Sequence, residues 1–210
     1  MIILPFAQMK PDDAALVGRK ALSLSELAAA GFRVPEGYVV TSEAFAQFLA
    51  HNHLISAIEA ELDKLNIQDI HSVEYASRII KDMIVGGDWP EELMAGILQQ
   101  FVHLNTRTVA VRSSVYSESG YSTAWAGELV TSLNIGMGSL PEQIKHCWAS
   151  LYSARSLYHL YQRHVRLQDL SMAVIVQKMV SASVSGMTYT AHPVHRDPGQ
   201  MVIEAVLGLG

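Results

Sequence analysis

The second half of the chain carries five short segments with the character of β-strands, and these constrain its fold more than any other feature. Each combines β-branched or aromatic residues with polar ones at near-alternating positions. One helical pattern, at about residues 140–164, interrupts the series. Residues 105–210 are therefore predicted to form a mixed sheet with a covering helix. The five segments are TVAVRSS, GELVTSLNI, MAVIVQKMV, SGMTYTA and MVIEAV.

Residues 1–104 have a mostly helical pattern. Two segments are exceptions: the apolar start that Pro5 stops, and YVVT from Tyr38, both of which are typical of strands. Between them lies a helix that Gly31 is expected to end. A second helix is expected to start at a cap formed by Thr41 or Ser42. Three more are expected at about residues 54–65, 71–85 and 91–104.

Composition and charge exclude several classes of protein. The 210 residues are 50% hydrophobic and 17% charged, which suits a folded chain with a substantial core. The formal net charge of −5 gives no electrostatic footprint for nucleic acid or an anionic membrane. We expect neither a signal peptide nor a membrane span. The single cysteine, Cys147, is interpreted as a core residue rather than a catalytic thiol, and it suits a cytoplasmic protein.

A positively charged residue stands inside one of the predicted strands. The stretch VAVRSS brings Arg112 to the end of an apolar run, and Ser113 and Ser114 follow it. A guanidinium group offers a planar set of donors that matches phosphate oxygens, and the two hydroxyls add short polar groups beside it. From composition alone, a hairpin with a surface arginine is an equally good interpretation.

Several ordered blocks resemble one known family. The stretch VRSSVYSESGYSTAWAGELVTSLNI is similar to the signature VRSSAxxED…ASFAGQxxTxLN. That signature belongs to the nucleotide-binding domain shared by phosphoenolpyruvate synthase, pyruvate phosphate dikinase and rifampicin phosphotransferase. The blocks run in the family's order from Leu16 to Gly210, so the chain is identified as a member, although residues 50–105 carry little of the resemblance. The other blocks are VGRKALSLSELAAAGFRVPEGYVVTSEAF, CWASLYSARSLYH, MAVIVQKMVSASVSGMTYTAHPV and VIEAVLGLG.

The resemblance implies an α+β (mixed α/β) chain with the ATP-grasp fold, in which two lobes hold ATP between them. Residues 1–104 would form the N-terminal helical lobe, and residues 105–210 the strand-rich central part, cut at the GLG segment. In this family a phosphoryl group passes from ATP to a carrier histidine on another domain, and then to pyruvate, water, phosphate or an antibiotic. The carrier histidine, the acceptor-binding domain and the Mg²⁺ ligands are expected outside this chain, which would be inactive alone.

The resemblance also implies contacts to ATP at six positions. A cation at a loop-to-helix junction suits a polyphosphate, and the paired donor and acceptor of an amide suit the edge of a base. The phosphates are assigned to Lys20, Arg112, Gly127 and Thr131, and the adenine to Gln177 and Met179 with the backbone of Lys178.

Four positions depart from the family pattern. Arg19 stands at a usual glycine, Ser119 at a usual aspartate, Glu128 at a usual glutamine, and His192 where aspartate or asparagine is common. Two hypotheses follow: the ATP-binding part of a phosphoenolpyruvate synthase-like or rifampicin-type phosphotransferase, or a diverged regulatory module that binds nucleotide without phosphotransfer. His192 and His195 suggest zinc, but two histidines without further ligands are weak evidence, and we expect no metal site in the chain.

Arg155 is interpreted without reference to the family. It follows Trp148, Leu151 and Tyr152 at helical spacing, so it is predicted to lie on the apolar stripe of a single helix. A buried arginine needs a partner. An internal salt bridge is the favoured interpretation, and direct contact with a ligand is the alternative.

Overall fold

The computed structural model describes residues 1–117, 130–163, 170–195 and 197–209. Its contacts divide the chain into two compact units, Met1–Met179 and Val180–Gly210. The change in composition near residue 104 lies inside the first unit, where strands from both sides of it join one sheet. The lobe boundary predicted there stays a prediction.

A five-stranded sheet forms the centre of the first unit. Every neighbouring pair among its described strands is antiparallel, so the prediction of a mixed sheet is wrong for this part of the chain. Hydrophobic periodicity identifies a strand but does not encode its direction, which the connections set. The strands are β1 Ile3–Pro5, β2 Gly37–Val40, β3 Val109–Ser117, β4 Thr131–Ile135 and β5 Leu170–Lys178, in the spatial order β1-β2-β5-β3-β4.

The helices confirm the predicted pattern in the first half of the chain, but the cap predicted at Thr41 or Ser42 is wrong. The Thr41 hydroxyl instead donates to the Met1 and Ile2 carbonyls, at 3.0 and 3.1 Å. The first helix ends as expected at Gly31, which has a φ of 86°. The N–H of the next residue, Phe32, donates back to the Leu27 carbonyl in the last turn of the helix. None of the helices in the described ranges is both long and apolar enough to cross a bilayer. The helices are α1 Ala14–Ala29, α2 Ser42–His51, α3 Leu54–Asp63, α4 Ile70–Gly86, α5 Glu91–His103, α6 Leu140–Ser150 and α7 Ala154–Gln162.

The single helix predicted at residues 140–164 is two helices, α6 and α7. Ser153 starts the second one, because its hydroxyl accepts a hydrogen bond from the Ser156 N–H at 3.1 Å. Trp148 therefore lies on a different helix from Arg155, and Arg155 is exposed. The predicted burial of Arg155 on an apolar stripe is wrong. Trp148 is fully buried and stacks on Phe45, with ring centroids 5.0 Å apart.

The two faces of the sheet pack into separate hydrophobic clusters. Val174 and Val176 of β5 belong to the larger cluster, which includes residues of α2, α4, α5, α6 and α7. Ala173 and Ile175, which alternate with them, belong to the smaller cluster together with residues of α1. The side of the sheet toward α1 is called the α1 face below. It positions the candidate site.

The second unit is a two-stranded antiparallel hairpin. Its strands, β6 Val184–Tyr189 and β7 Val202–Leu207, confirm the last two predicted strand segments. Ile203 and Leu207 are exposed on it. A two-stranded hairpin by itself is marginally stable in water. Both hydrophobic clusters belong to the first unit.

Candidate functional site

Arg112 lies in the middle of β3 on the α1 face. It is paired with Thr131 of β4 on one side and with Ile175 of β5 on the other. Paired residues of antiparallel strands point their side chains to the same face, with Cβ atoms about 4.5–5.5 Å apart. Ile175 packs in the cluster under α1, so Arg112 and Thr131 share that face. The structure therefore brings two of the predicted phosphate contacts side by side.

One guanidinium nitrogen of Arg112 has no hydrogen-bond partner among the described residues. The side chain is partly buried, and its Nε makes no hydrogen bond to the part of the chain that the structure describes. Leaving a buried donor unpaired is costly, and more so for a charged group. An anion from outside the chain would satisfy this donor, and the guanidinium fork matches phosphate oxygens.

Lys20 follows an interruption in α1. Gly18 has a φ of 77° and a ψ of 161°, a combination essentially restricted to glycine, so the helix stops and restarts there. Lys20 is the second residue after Gly18 and lies in the first turn of the restarted helix. The first N–H groups of a helix have no intrahelical acceptor. The loop-to-helix junction predicted at Lys20 is thus found within α1.

Lys20 and Arg112 are close enough to repel each other. The pKa of Lys20 is lowered, first by burial of its ammonium group and second by the positive charge of Arg112. Two cations held together in this way are unfavourable without an anion between or beside them. Their convergence on one face of the sheet favours the binding of a polyanion.

The two serines that follow in β3 are engaged inside the protein. Ser113 lies on the face opposite α1, and its hydroxyl donates to the Val130 carbonyl at 3.2 Å. Ser114 returns to the α1 face, where its hydroxyl accepts a hydrogen bond from the Ala21 N–H at 3.2 Å. Both serines are fully buried. The phosphate contacts expected from these hydroxyls are therefore not supported.

Gln177 ends the run of buried residues in β5. It is paired with Ala110, so it lies on the α1 face with Arg112, and its side-chain amide donates to the Pro35 carbonyl at 3.0 Å. The backbone N–H groups of Lys178 and Met179 donate to other carbonyls within the protein, at 2.9 and 3.3 Å. With these donors engaged, the adenine contacts assigned to this segment stay predictions.

Three of the positions singled out from the sequence lie between β3 and β4. Gly127, Ser119 and Glu128 lie outside the described residues, so the role of Gly127 and the effect of both substitutions stay predictions. Arg19, the departure next to Lys20, is described and is exposed. Its neighbour Gly18, by contrast, is buried against Ser114 of β3.

His192 and His195 form a turn. Their ring centroids are 4.5 Å apart, and His192 Nδ1 accepts hydrogen bonds from the N–H groups of Val194 and His195 at 3.3 and 3.2 Å. An aspartate or asparagine makes the same kind of turn through its side-chain oxygen. Within the described ranges, no group of three His, Cys, Asp or Glu side chains could hold a metal ion.

Cys147 of α6 is a core residue. It is fully buried, and burial raises the pKa of its thiol to about 12. A thiol attacks as its thiolate, which this pKa makes scarce at neutral pH. The interpretation of Cys147 as an inert packing residue is supported.

Sequence reasoning missed the contact between Gly18 and Ser114. A Cβ at Gly18 would lie 2.4 Å from the Ser114 hydroxyl oxygen, so only glycine permits this approach of α1 to β3. The available signal was an isolated glycine just before Lys20 in an otherwise helical pattern, because such a glycine often has a packing reason. This contact brings Lys20 to the strand that carries Arg112.

Comparisons with known proteins reveal extended similarity. Residues 14–210 match the family described as "Pyruvate phosphate dikinase, AMP/ATP-binding domain". A phosphoenolpyruvate synthase of Aeropyrum pernix is 36% identical and covers 100% of this chain, and the match covers 26% of that protein. A probable phosphoenolpyruvate synthase of Archaeoglobus fulgidus is 35% identical, with 100% of this chain and 29% of that protein covered. A rifampicin phosphotransferase of Bacillus cereus is 31% identical, with 99% and 24% covered.

The chain spans less than a third of the length of these three relatives, 24 to 29% of each. The family match nevertheless covers nearly all of this chain, from the first residue of α1 onward. It includes Lys20, Arg112, Thr131 and Gln177, which the sheet and α1 place around one face. The chain belongs to the family of pyruvate phosphate dikinase AMP/ATP-binding domains.

Proposed function

We propose that this chain binds the phosphates of ATP on the α1 face, between Lys20 and Arg112. The observation that carries the proposal is the placement of both cations on the α1 face, where burial and, second, the charge of Arg112 lower the pKa of Lys20. The unpaired Nε of Arg112, judged over the described residues, supports an external anion as the missing partner. Thr131, paired with Arg112, adds a hydroxyl. Gly127, which lies outside the described residues, would add a backbone contact.

The adenine would lie toward the end of β5, near Gln177 and Met179. Gln177 shares the α1 face with Arg112, and the two residues lie on neighbouring strands, β5 and β3. The side-chain nitrogen of Gln177 and the N–H of Met179 are already donating within the protein. Recognition of the base would therefore depend on carbonyl oxygens, or on the release of one of these donors when ATP binds.

The proposed fold is the N-terminal part of an ATP-grasp domain, with the helical lobe at residues 1–104 and the strand-rich central part at 105–210. The other half of the cleft would come from the longer protein. This division suits a chain that covers 24 to 29% of its relatives' lengths. The chain alone would then be inactive.

In the longer protein we propose an ATP-dependent phosphotransferase of the phosphoenolpyruvate synthase type. ATP would donate a phosphoryl group to a carrier histidine on another domain, which would pass it to an acceptor held elsewhere. Support comes from the names of the relatives, which are phosphoenolpyruvate synthases and a rifampicin phosphotransferase. We further propose a cytoplasmic location, which the free, buried Cys147 suits.

Magnesium accompanies ATP in such reactions. The described residues offer no cluster of three His, Cys, Asp or Glu side chains for it. They do not fit a resident metal ion, and no step of the proposal depends on one. What they supply is positive charge for the phosphates.

Two other functions fit the family. One is the ATP domain of a rifampicin-type phosphotransferase, which the 31% identity to the Bacillus cereus protein favours. The other is a regulatory nucleotide-binding module without phosphotransfer, which the departures from the family pattern at Arg19, Ser119 and Glu128 favour. A search for a phosphohistidine in the full-length protein after incubation with ATP separates the enzymes from the regulatory module.

The experiment that tests the binding proposal is calorimetric titration of ATP into full-length protein carrying Arg112→Ala. Loss of a charge-assisted hydrogen bond costs about 1.5–3 kcal/mol, so we expect binding to weaken about tenfold or more. The melting temperature should stay nearly unchanged. Arg107→Ala is the matched control, since Arg107 is an exposed arginine just before β3. Equal affinity of the Arg112→Ala variant and the wild type would remove Arg112 from the site.

A further inference from the structure

The restart of α1 after Gly18 lacks the usual side-chain cap. In most helices the residue before the first turn is Ser, Thr, Asp or Asn, whose side chain accepts a hydrogen bond from the N–H two or three residues later. Gly18 occupies that position and has no side chain. The N–H three residues later, on Ala21, instead donates to Ser114 Oγ of β3 at 3.2 Å.

The Ser114 hydroxyl stands where a capping side chain at Gly18 would stand. A Cβ built on Gly18 would come within 2.4 Å of Ser114 Oγ and 2.6 Å of the Ser114 carbonyl oxygen. Because Gly18 has no side chain, it cannot cap the helix itself, and it leaves room for the Ser114 hydroxyl to do so. Ser114 is fully buried, so water does not compete for this hydrogen bond.

This cap links the two cations of the site. Ser114 is two residues from Arg112 on the same face of β3, and Ala21 is adjacent to Lys20. A hydrogen bond from Ala21 to Ser114 thus holds the Lys20 segment of α1 against the Arg112 segment of β3. Such a restraint is required because like charges tend to separate.

On the other side of Gly18, α1 is held by two further hydroxyls. Ser171 and Ser42 both donate to the Ala15 carbonyl, at 2.7 and 3.2 Å. The helix is therefore anchored on both sides of its interruption, and Ser114 is the anchor nearest to Lys20.

We propose that Ser114 is a positioning residue that holds Lys20 beside Arg112 by capping the restarted helix from the neighbouring strand. Its importance for ATP rests on the function proposed above, since the two cations matter to the reaction only if they bind phosphates. Ser114 itself need not touch the nucleotide.

The test compares Ser114→Ala with Ser113→Ala. Ser113 is the neighbouring residue, is equally buried and also makes one side-chain hydrogen bond, to Val130 at 3.2 Å, but it lies on the opposite face. The readout is the pKa of Lys20, followed without nucleotide by NMR of lysine labelled at the ε-carbon and assigned with Lys20→Arg. A merely structural role would lower the stability of both variants and leave this pKa unchanged.

We expect Ser114→Ala to raise the pKa of Lys20 toward its ordinary value, because the ammonium group loses part of its burial and moves away from Arg112. Ser113→Ala should leave it as in the wild type. ATP binding, measured in parallel by calorimetry, should weaken about tenfold in Ser114→Ala, the loss expected when one charged contact is misplaced. Ser114→Cys, which is slightly larger and a weaker acceptor, should shift the pKa of Lys20 in the same direction, and it replaces the alanine variant if that fails to fold.

An unchanged pKa of Lys20 in Ser114→Ala and Ser114→Cys would overturn the positioning role, as would an equal shift in Ser113→Ala. The pKa readout needs no nucleotide, so it is independent of the function proposed for the site. If the pKa of Lys20 moves as expected but ATP does not bind the wild type, the positioning of Lys20 stands and the proposed function fails.

Discussion

Two cations that the fold forces together dominate the site at the scale of single residues. Lys20 is partly buried, and both this burial and the charge of Arg112 lower its pKa. The stability cost of keeping Lys20 protonated is therefore built into the chain before any ligand arrives. Binding sites often carry such a cost, because the ligand relieves it.

The first prediction concerns the pH dependence of stability in Lys20→Met. Because the pKa of Lys20 is lower in the folded chain than its ordinary 10.5, the unfolded chain binds this proton more tightly. The free-energy cost of the charged Lys20 is present in full below its pKa in the folded chain, and it disappears as the pH rises to about 10.5. At pH 7 we expect the variant to melt about 1–2 °C above the wild type, a small shift because the side chain is partly exposed.

Thermal unfolding followed by circular dichroism at pH 7, 9 and 10.5 measures this effect. The difference between the two proteins should shrink as the pH rises, while ATP binding by Lys20→Met should be weaker at pH 7. Comparing the difference between variant and wild type cancels the titration of Tyr152 and Cys147, whose pKa values burial raises to about 12. A variant less stable than the wild type at pH 7 would show that Lys20 stabilises the fold.

At the scale of elements, the sequence predicted the strands and most helices but not how they meet. The strand carrying Arg112 and the glycine ending α1 followed from periodicity and from residue preferences. The strand directions, the break at Ser153 and the exposure of Arg155 did not. A cap formed by one serine weighs little in a helical pattern but decides where a helix begins.

In the candidate site, too, single residues could be assigned from the sequence, but the contacts between elements could not. Arg112 and Lys20 could be assigned from a family resemblance, and the register then places Thr131 beside Arg112. The hydrogen bond from Ala21 to Ser114 joins residues 93 positions apart, which no local pattern predicts. Contacts of this kind arise from packing between elements, and packing is a property of the assembled fold.

A second prediction concerns the meeting of α1 and β3 and compares Gly18→Ala with Gly31→Ala. Both glycines have positive φ values, 77° and 86°, but a Cβ at Gly31 meets nothing within 4 Å. Gly31→Ala should therefore lose about 1 kcal/mol from backbone strain alone. Gly18→Ala adds the clash with Ser114 and a less accessible backbone region, so we expect a loss of about 3 kcal/mol.

Urea denaturation of both variants provides the measurement, with the slope checked for two-state behaviour. We also expect Gly18→Ala to weaken ATP binding and Gly31→Ala to leave it unchanged. Equal losses of stability in the two variants would mean that α1 can move away from β3 at little cost.

At the scale of the whole molecule, the stable core and the candidate cations lie in one unit. Every residue of both hydrophobic clusters lies between Ile3 and Val176, within the unit Met1–Met179. The remaining unit, Val180–Gly210, is a hairpin that carries exposed apolar side chains. We therefore expect the first unit to fold by itself.

The third prediction is that a chain ending after Met179 unfolds cooperatively, within a few degrees of the 210-residue chain. The reason is that it keeps every residue of both clusters. Differential scanning calorimetry measures the transition. A chain ending at residue 169 is the control: it lacks β5, which pairs with both β2 and β3, and it should not fold. Loss of cooperative unfolding in the longer truncation would show that the hairpin supports the first unit.

The central claim is that ATP phosphates lie between Lys20 and Arg112 on the α1 face. An experimental structure of the full-length protein with a non-hydrolysable ATP analogue tests it most directly. We expect phosphate oxygens within about 3 Å of both Lys20 Nζ and the Arg112 guanidinium, the distance of charge-assisted hydrogen bonds. An analogue bound with its phosphates away from both side chains would contradict the claim.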